Sequence, residues 1–117
     1  MRVYDYVDRE GVNQVEAWAR GLDPRSRAKF DNKIRLVQQA DMDSLPGLVR
    51  GFNIQGQRHI GKLAVGSSGS GRALRPLICR GPIDSEEEIT ILLGAEERDR
   101  KLPDGIAKIV SLDDKRF

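Results

Sequence analysis

Two short apolar runs separated by a turn-forming segment constrain the fold of this chain more than any other feature. The first run extends from Arg72 to Arg80 and the second from Glu88 to Gly94, with Gly81-Pro82 and an acidic segment between them. Apolar runs of this length around a Gly-Pro turn predict a β-hairpin. Cations on the first run, and Arg98 and Arg100-Lys101 after the second, predict a groove that holds an anion.

The chain before this hairpin predicts a strand and two helices. Arg2 to Val7 is rich in β-prone side chains. Asn13 and Glu16 have the spacing of a capping box, and the apolar residues after Asn13 recur at helical spacing, which predicts a helix over Gln14–Gly21 with Trp18 in the core. Asp23-Pro24 is a typical start for a second helix.

After Asp43 the apolar residues change from helical spacing to alternation. This pattern predicts strands over Leu48–Ile54 and Arg58–Val65, with His59 on the core face of the second. Gly66–Gly71 has the composition of a flexible loop, and a last helix is expected from Pro103 to about Leu112. The predicted fold is one α+β domain over residues 1–117 in the order β-αα-ββββ-α, with two helices packed on a small twisted antiparallel sheet.

The distribution of charge is uneven although the net charge is only +2. Between Ser44 and Ile83 the sequence contains no acidic residue, but it contains six basic ones: Arg50, Arg58, Lys62, Arg72, Arg75 and Arg80. A long stretch of one sign predicts a positive field over one face of the protein. Nucleic acid is the commonest partner for such a face.

The composition also excludes several classes of protein. Cys79 is the only cysteine, so no intrachain disulfide forms, and we interpret it as a buried structural thiol in a reducing compartment. No apolar run has transmembrane length and the first residues carry no signal-peptide segment, so we expect a cytoplasmic protein with no membrane partner. His59 and Cys79 stand alone as soft ligands, so we expect no metal and no cofactor.

Arg75 is the residue that argues most for a functional site. A cation within an apolar strand is costly to desolvate unless it has a partner or lines a cleft, and Pro76 after it predicts a sheet edge or a bulge. The alternative is that Arg75 pairs with a nearby carboxylate such as Glu88. His59 likewise has two interpretations, a core side chain or a general base.

Most of the chain resembles the RelE/HigB/ParE superfamily of bacterial toxin-antitoxin toxins, especially its phage-derived HigB-like branch. The segments that carry the resemblance keep the order and spacing of the family motifs: Val15–Leu22, Arg27–Ile34, Lys62–Ala64, Leu74–Ile78 and Leu93–Pro103. The chain departs from the family pattern at Ala64 and Glu97, where arginine and lysine are usual, and at Ala95, where phenylalanine is usual. It also has no late Tyr or His near Phe117.

The resemblance implies a toxin that cuts messenger RNA without a metal, often on the ribosome, and that is neutralised by a cognate antitoxin with a helix-turn-helix domain. It gives Arg75, Arg98 and Lys101 as matched basic positions, with Lys62 similar in place and charge to a basic strand residue of the RNA-cleaving members. We expect Arg75 and Arg98 to stabilise the reacting phosphate and Lys62, with His59 as the alternative, to act as the base. We expect the other basic residues to hold backbone phosphates: Arg58, Arg72, Arg80, Arg100 and Lys101.

Two other functions remain open from the sequence. One is a gyrase-binding toxin of the ParE type, which the missing late Tyr or His favours. The other is a degenerate binding module that keeps the sheet and the basic residues but has lost the chemistry.

Overall fold

Helices precede a multi-stranded sheet along the chain, as the α+β prediction requires. A computed structural model describes residues 1–41, 43–69, 72–81 and 87–109. Its elements are β1 (Arg2–Asp5), α1 (Gln14–Arg20), α2 (Pro24–Gln39), a 3-10 turn (Leu45–Gly47), β2 (Val49–Ile54), β3 (Gln57–Leu63), β4 (Gly66–Gly69), β5 (Arg72–Leu74), β6 (Leu77–Arg80), β7 (Glu88–Leu93) and β8 (Glu96–Arg98). Residues 106–109 form a last helical turn. The predicted α+β class is confirmed, but the prediction of a purely antiparallel sheet is wrong, because β1 pairs with β7 in parallel.

Both N-terminal helices begin at the predicted caps. The Asn13 side chain accepts a hydrogen bond from the Glu16 backbone N–H at 2.9 Å. Asp23 accepts from the Ser26 backbone N–H at 2.8 Å and from its hydroxyl at 3.0 Å, ahead of Pro24 at the first helical position. The backbone hydrogen bond from Ser26 is the main cause that lowers the pKa of Asp23 below its ordinary value.

The strands form two sheets, which backbone hydrogen bonds join as the two halves of one bent layer. The first half has the order β1-β7-β6-β3-β2 and the second the order β4-β5-β8. β1 is parallel to β7, and the other described pairings are antiparallel. Hydrogen bonds cross the bend, from Arg75 N–H to Ala95 O at 2.8 Å and from Leu63 N–H to Pro76 O at 2.9 Å. In the described part of the chain, seven strands thus follow the two helices where the sequence predicted four.

The predicted hairpin is present, and Pro76 divides its first strand into β5 and β6. Pro76 has no N–H with which to continue the ladder, so the bend occurs at this position. The hairpin turn at 82–86 and the predicted helix end at Leu112 lie outside the described residues.

Two predictions about local structure are wrong. Gly66–Gly69 is strand β4 instead of loop, because it pairs with β5 and because Lys29 Nζ of α2 donates to Ser67 O at 2.7 Å. His59 is exposed instead of buried in the core. The helices pack chiefly on β1, β4 and β7, so the beginning of β3 extends past them.

Each face of the sheet carries its own apolar core. The first core lies under α1 and α2 and includes Phe30, Leu63, Leu74, Ile78 and Ile91. The second lies on the opposite face and consists of Ile60, Leu77, Cys79, Leu92, Ala95 and Ala107. Residues 102–109, here called the C-terminal segment, cover this second face and bury Cys79 as predicted.

Trp18 packs directly against the backbone of Gly94. Its ring meets Phe30 edge-to-face at a centroid distance of 5.3 Å, which fixes the side chain between α1, α2 and the sheet. A Cβ added at Gly94 would lie 2.1 Å from Trp18 Cγ. Glycine is therefore required where β7 leads into β8.

We expect Gly94→Ala to lower the free energy of unfolding by about 3 kcal/mol, because overpacking at this contact displaces α1. Gly47→Ala is the matched control, since a Cβ there meets no described atom within 4 Å. Urea denaturation followed by fluorescence of Trp18, the single tryptophan, measures both. Equal stability of the two variants would contradict the prediction.

Gln55 fastens the C-terminal segment to the sheet. Its side-chain Nε2 donates to Pro103 O at 2.8 Å, and its Oε1 accepts from Ala107 N–H at 3.1 Å. Gln55 and Gly56 both have positive φ, 51° and 84°, as a two-residue hairpin turn requires. The β2–β3 turn thus holds the segment that covers the second core.

Gln55→Asn separates these two roles, because asparagine tolerates positive φ but is one methylene too short to reach both partners. We expect amide exchange at 102–109 to become roughly tenfold faster, from the loss of two hydrogen bonds. Exchange in β2 and β3 should be unchanged. Hydrogen-exchange mass spectrometry measures both, and unchanged protection of the C-terminal segment would show that Gln55 does not hold it.

Candidate active site

The Glu97 carboxylate lies between two of the predicted catalytic cations. Lys62 Nζ donates a hydrogen bond to Glu97 Oε2, and Arg75 Nε lies 3.2 Å from Glu97 Oε1. The side chains of Lys62, Arg75 and Glu97 are 22%, 13% and 9% exposed. These three residues, here called the Glu97 cluster, form a largely desolvated group with a formal charge of +1.

A bulge in β7 sets the face on which Glu97 lies. Leu77 pairs with Leu93 but Ile78 pairs with Ile91, so β7 carries one extra residue, Leu92, at this point. The extra residue shifts the alternation, so Ala95 joins the second core and Glu97 follows it on the same face. Lys62 alternates with Ile60, and Arg75 with Leu77, on that face as well.

The cluster answers the question that the sequence left open about Arg75. Arg75 does have a carboxylate partner, but the partner is Glu97 and not Glu88. Glu88 instead accepts a hydrogen bond from Arg2 Nη2 at 3.2 Å on the far strand β1. Removing either charge of a buried pair leaves the other uncompensated, which typically costs several kcal/mol.

Arg98, the third predicted catalytic residue, lies on the other face of the sheet. It pairs in register with Arg72, and Glu96 pairs with Leu74 of the first core. Alternation along β8 therefore places Arg98 with Glu96, opposite to Glu97. The structure therefore brings Lys62 and Arg75 together on Glu97 and places Arg98 on the opposite face of β8.

The cations after β8 are presented by a tight turn. Arg98 N–H donates to Lys101 O at 2.9 Å and Lys101 N–H donates to Arg98 O at 3.0 Å. Asp99 and Arg100 between them have φ of 52° and 66°, the geometry of a two-residue hairpin turn. This turn exposes Arg100 and Lys101 at the edge of the sheet.

A cleft of about 550 Å³ runs beside β8 and connects this turn to the Glu97 cluster. Its lining includes Trp18, Arg72, Glu97, Arg98, Lys101 and Ile106. We call it the Arg98 cleft. Arg72 of β5, Arg98 of β8 and Lys101 of the turn thus lie along a cleft that Glu97 also lines. Glu96 Oε2 lies 3.7 Å from Arg72 Nη1 and offsets part of this positive charge.

The remaining predicted nucleic-acid contacts, Arg58 and Arg80, are exposed at the other end of the sheet. The Arg80 guanidinium carbon lies 5.0 Å above the Phe52 ring, a cation–π contact. Arg58 precedes Lys62 by four residues, about 13 Å along an extended strand. Alternation divides the described cations of the basic stretch between both faces, so the predicted field over a single face is not what the fold produces.

Comparison with known proteins leaves the family open. No family model matches the chain, and no curated protein or solved structure matches it.

Among the described residues, no group of three His, Cys, Asp or Glu side chains is arranged to hold a metal ion. The helices described in this chain are also too short and too polar to cross a membrane.

Glu97→Gln tests whether the cluster is held together by charge. We expect the free energy of unfolding to fall by about 3 kcal/mol, because Lys62 and Arg75 remain largely buried without a counter-charge. Glu96→Gln is the neighbouring control, because Glu96 lies on the opposite face of β8, is more exposed than Glu97 and is paired with the exposed Arg72, so a loss below about 1 kcal/mol is expected. Chemical denaturation measures the free energy of unfolding of both variants. Similar losses in the two would show that the charge of Glu97 does not hold the cluster together.

Proposed function

We propose that this chain is the toxin of a toxin-antitoxin pair and acts as a metal-independent endoribonuclease. The observation that carries the proposal is the Glu97 cluster, a carboxylate between an arginine and a lysine beside a cation-lined cleft. The α+β fold and the resemblance of the sequence motifs to the RelE/HigB/ParE superfamily support it. A cytoplasmic location, messenger RNA as the substrate, action on the ribosome and a helix-turn-helix antitoxin belong to the same proposal.

The three side chains of the cluster supply the groups that RNA transesterification needs. The 2′-oxygen attacks the adjacent phosphorus while the bond from phosphorus to the 5′-oxygen breaks. Glu97 takes the 2′-hydroxyl proton, Arg75 stabilises the pentacoordinate phosphate, and Lys62 gives a proton to the departing 5′-oxygen. The products are a 2′,3′-cyclic phosphate and a 5′-hydroxyl end.

Glu97 replaces Lys62 in the role of base, which the sequence had assigned to the lysine. Lys62 already donates to Glu97 through its ammonium group, which has no lone pair with which to accept a proton. The substrate phosphate competes with Glu97 for both cations, so its binding frees the carboxylate to act. Arg98, on the other face of β8, then acts with Arg72, Arg100 and Lys101 in holding the RNA backbone.

A binding module without catalytic activity is the second candidate. The observation that favours it is that the buried Glu97 carboxylate is already paired with Lys62 and Arg75, so it neutralises part of their positive charge before RNA binds. Such a module binds RNA through the Arg98 cleft but leaves it intact.

Cleavage of a short RNA in the presence of EDTA distinguishes the two candidates. We expect products with 2′,3′-cyclic phosphate ends, and a rate at least 100-fold lower for Glu97→Gln because the base is lost. Glu87→Gln, an exposed carboxylate remote from the cluster, should cleave normally. Intact RNA at an RNA concentration that saturates the wild-type protein would exclude the nuclease and leave the binding module.

Lys62→Met tests whether Lys62 donates a proton in the reaction or only supports the fold. We expect it to slow cleavage of ordinary RNA strongly but to have little effect on RNA whose scissile 5′-oxygen is replaced by sulfur. A thiolate leaves without protonation, so the proton from Lys62 is not needed. Equal losses on both substrates would show that Lys62 acts only by supporting the fold or binding the phosphate.

A further inference from the structure

A second cleft adjoins Arg75, and among the residues that the structure describes there, the other charged lining residue is Lys33 of α2. The cleft has a volume of about 590 Å³ and is lined by Lys33, Gly47, Val49, Ala64, Val65, Gly66 and Arg75. We call it the Lys33 cleft. We propose that it binds a backbone phosphate of the RNA next to the bond that is cut, an inference that rests on the proposed endoribonuclease.

The cleft forms where the two halves of the sheet separate. β2 pairs with β3 as far as Val49 and Leu63, and β4 then begins at Gly66 without a neighbour on that side. Small residues keep the notch open, since Ala64 lies in its wall and a Cβ at Gly47 would meet no described atom within 4 Å. The volume lies in the range of sites that hold small ligands.

The charges around this notch favour an anion. None of the described residues that line it is acidic. Lys33 is half-buried and makes no ion pair with the described residues, whereas Arg27 on the same helix is paired with Asp31 and Lys29 binds Ser67 O. A half-buried ammonium that makes no ion pair with the described residues is stabilised when a phosphate binds beside it.

Arg75 links this cleft to the proposed chemistry. It lines the Lys33 cleft, and its partner Glu97 lines the Arg98 cleft, so the Arg75–Glu97 pair separates two cation-lined cavities. A single strand of RNA whose reacting phosphate lies at this pair extends toward a cation on either side. Free phosphate offers the same chemistry as an RNA phosphate, so the test must separate these two sources.

Lys33→Ala and Arg35→Ala provide a matched pair on α2. Both remove one positive charge from the same helix, but Arg35 is exposed and lies outside the cleft. We expect Lys33→Ala to raise the KM for RNA cleavage about tenfold with kcat little changed, and to reduce the slope of log affinity against log salt by about one. Arg35→Ala should match the wild type. If wild-type protein cleaves RNA and the two variants behave alike, the phosphate site is wrong and the nuclease stands.

A binding measurement makes the inference testable even without cleavage. NMR titration of the wild-type protein with an RNA tetranucleotide should shift the backbone amides of Gly47 and Gly66, and Lys33→Ala should abolish the shifts. Titration with inorganic phosphate is the parallel arm. Shifts with phosphate but not with RNA would overturn the assignment to the RNA backbone, and shifts with neither would overturn the site. Shifts with RNA in a protein that cleaves nothing would retain the site and reject the nuclease.

Discussion

Lys62, Arg75 and Glu97 are largely buried together where the sheet bends. The arrangement of the site depends on the ion pairs that Glu97 makes with the two cations. Glu97 satisfies Lys62 from β3 and Arg75 from the junction of β5 and β6, so a single carboxylate connects three chain passes. Buried charges are tolerated only when they are paired. The ion pairs with Glu97 make the burial of these cations tolerable, and they also keep both cations beside a carboxylate that can accept a proton.

The bend itself combines two local features that act on different strands. Pro76 interrupts the ladder of one chain pass, and the extra residue Leu92 shifts the alternation of the next. Gly94 then allows Trp18 to lie against the backbone just beyond that shift. Together they direct Glu97 toward the second face of the sheet and leave Arg98 on the first.

Much of the fold could be predicted from the sequence because its signals are local. The capped helices at Asn13 and Asp23, the strands around the Gln55-Gly56 turn and the hairpin that contains Pro76 all follow from neighbouring residues. His59 and the segment Gly66–Gly69 were wrong because their environments depend on where the helices lie and on which strand is the neighbour.

The sequence alone determined which side chains carry charge and where the two capped helices and the two hairpins form, because composition, caps and turn chemistry act over a few residues. It marked Arg75 as a cation that needs a partner or a cleft. Only the tertiary structure decided that the partner is Glu97, from a strand more than twenty residues away, and that Lys33 of α2 lines the same cleft as Arg75. A one-residue bulge reverses the face of every following side chain, and no local pattern in the apolar run Ile89–Leu93 reveals where it falls.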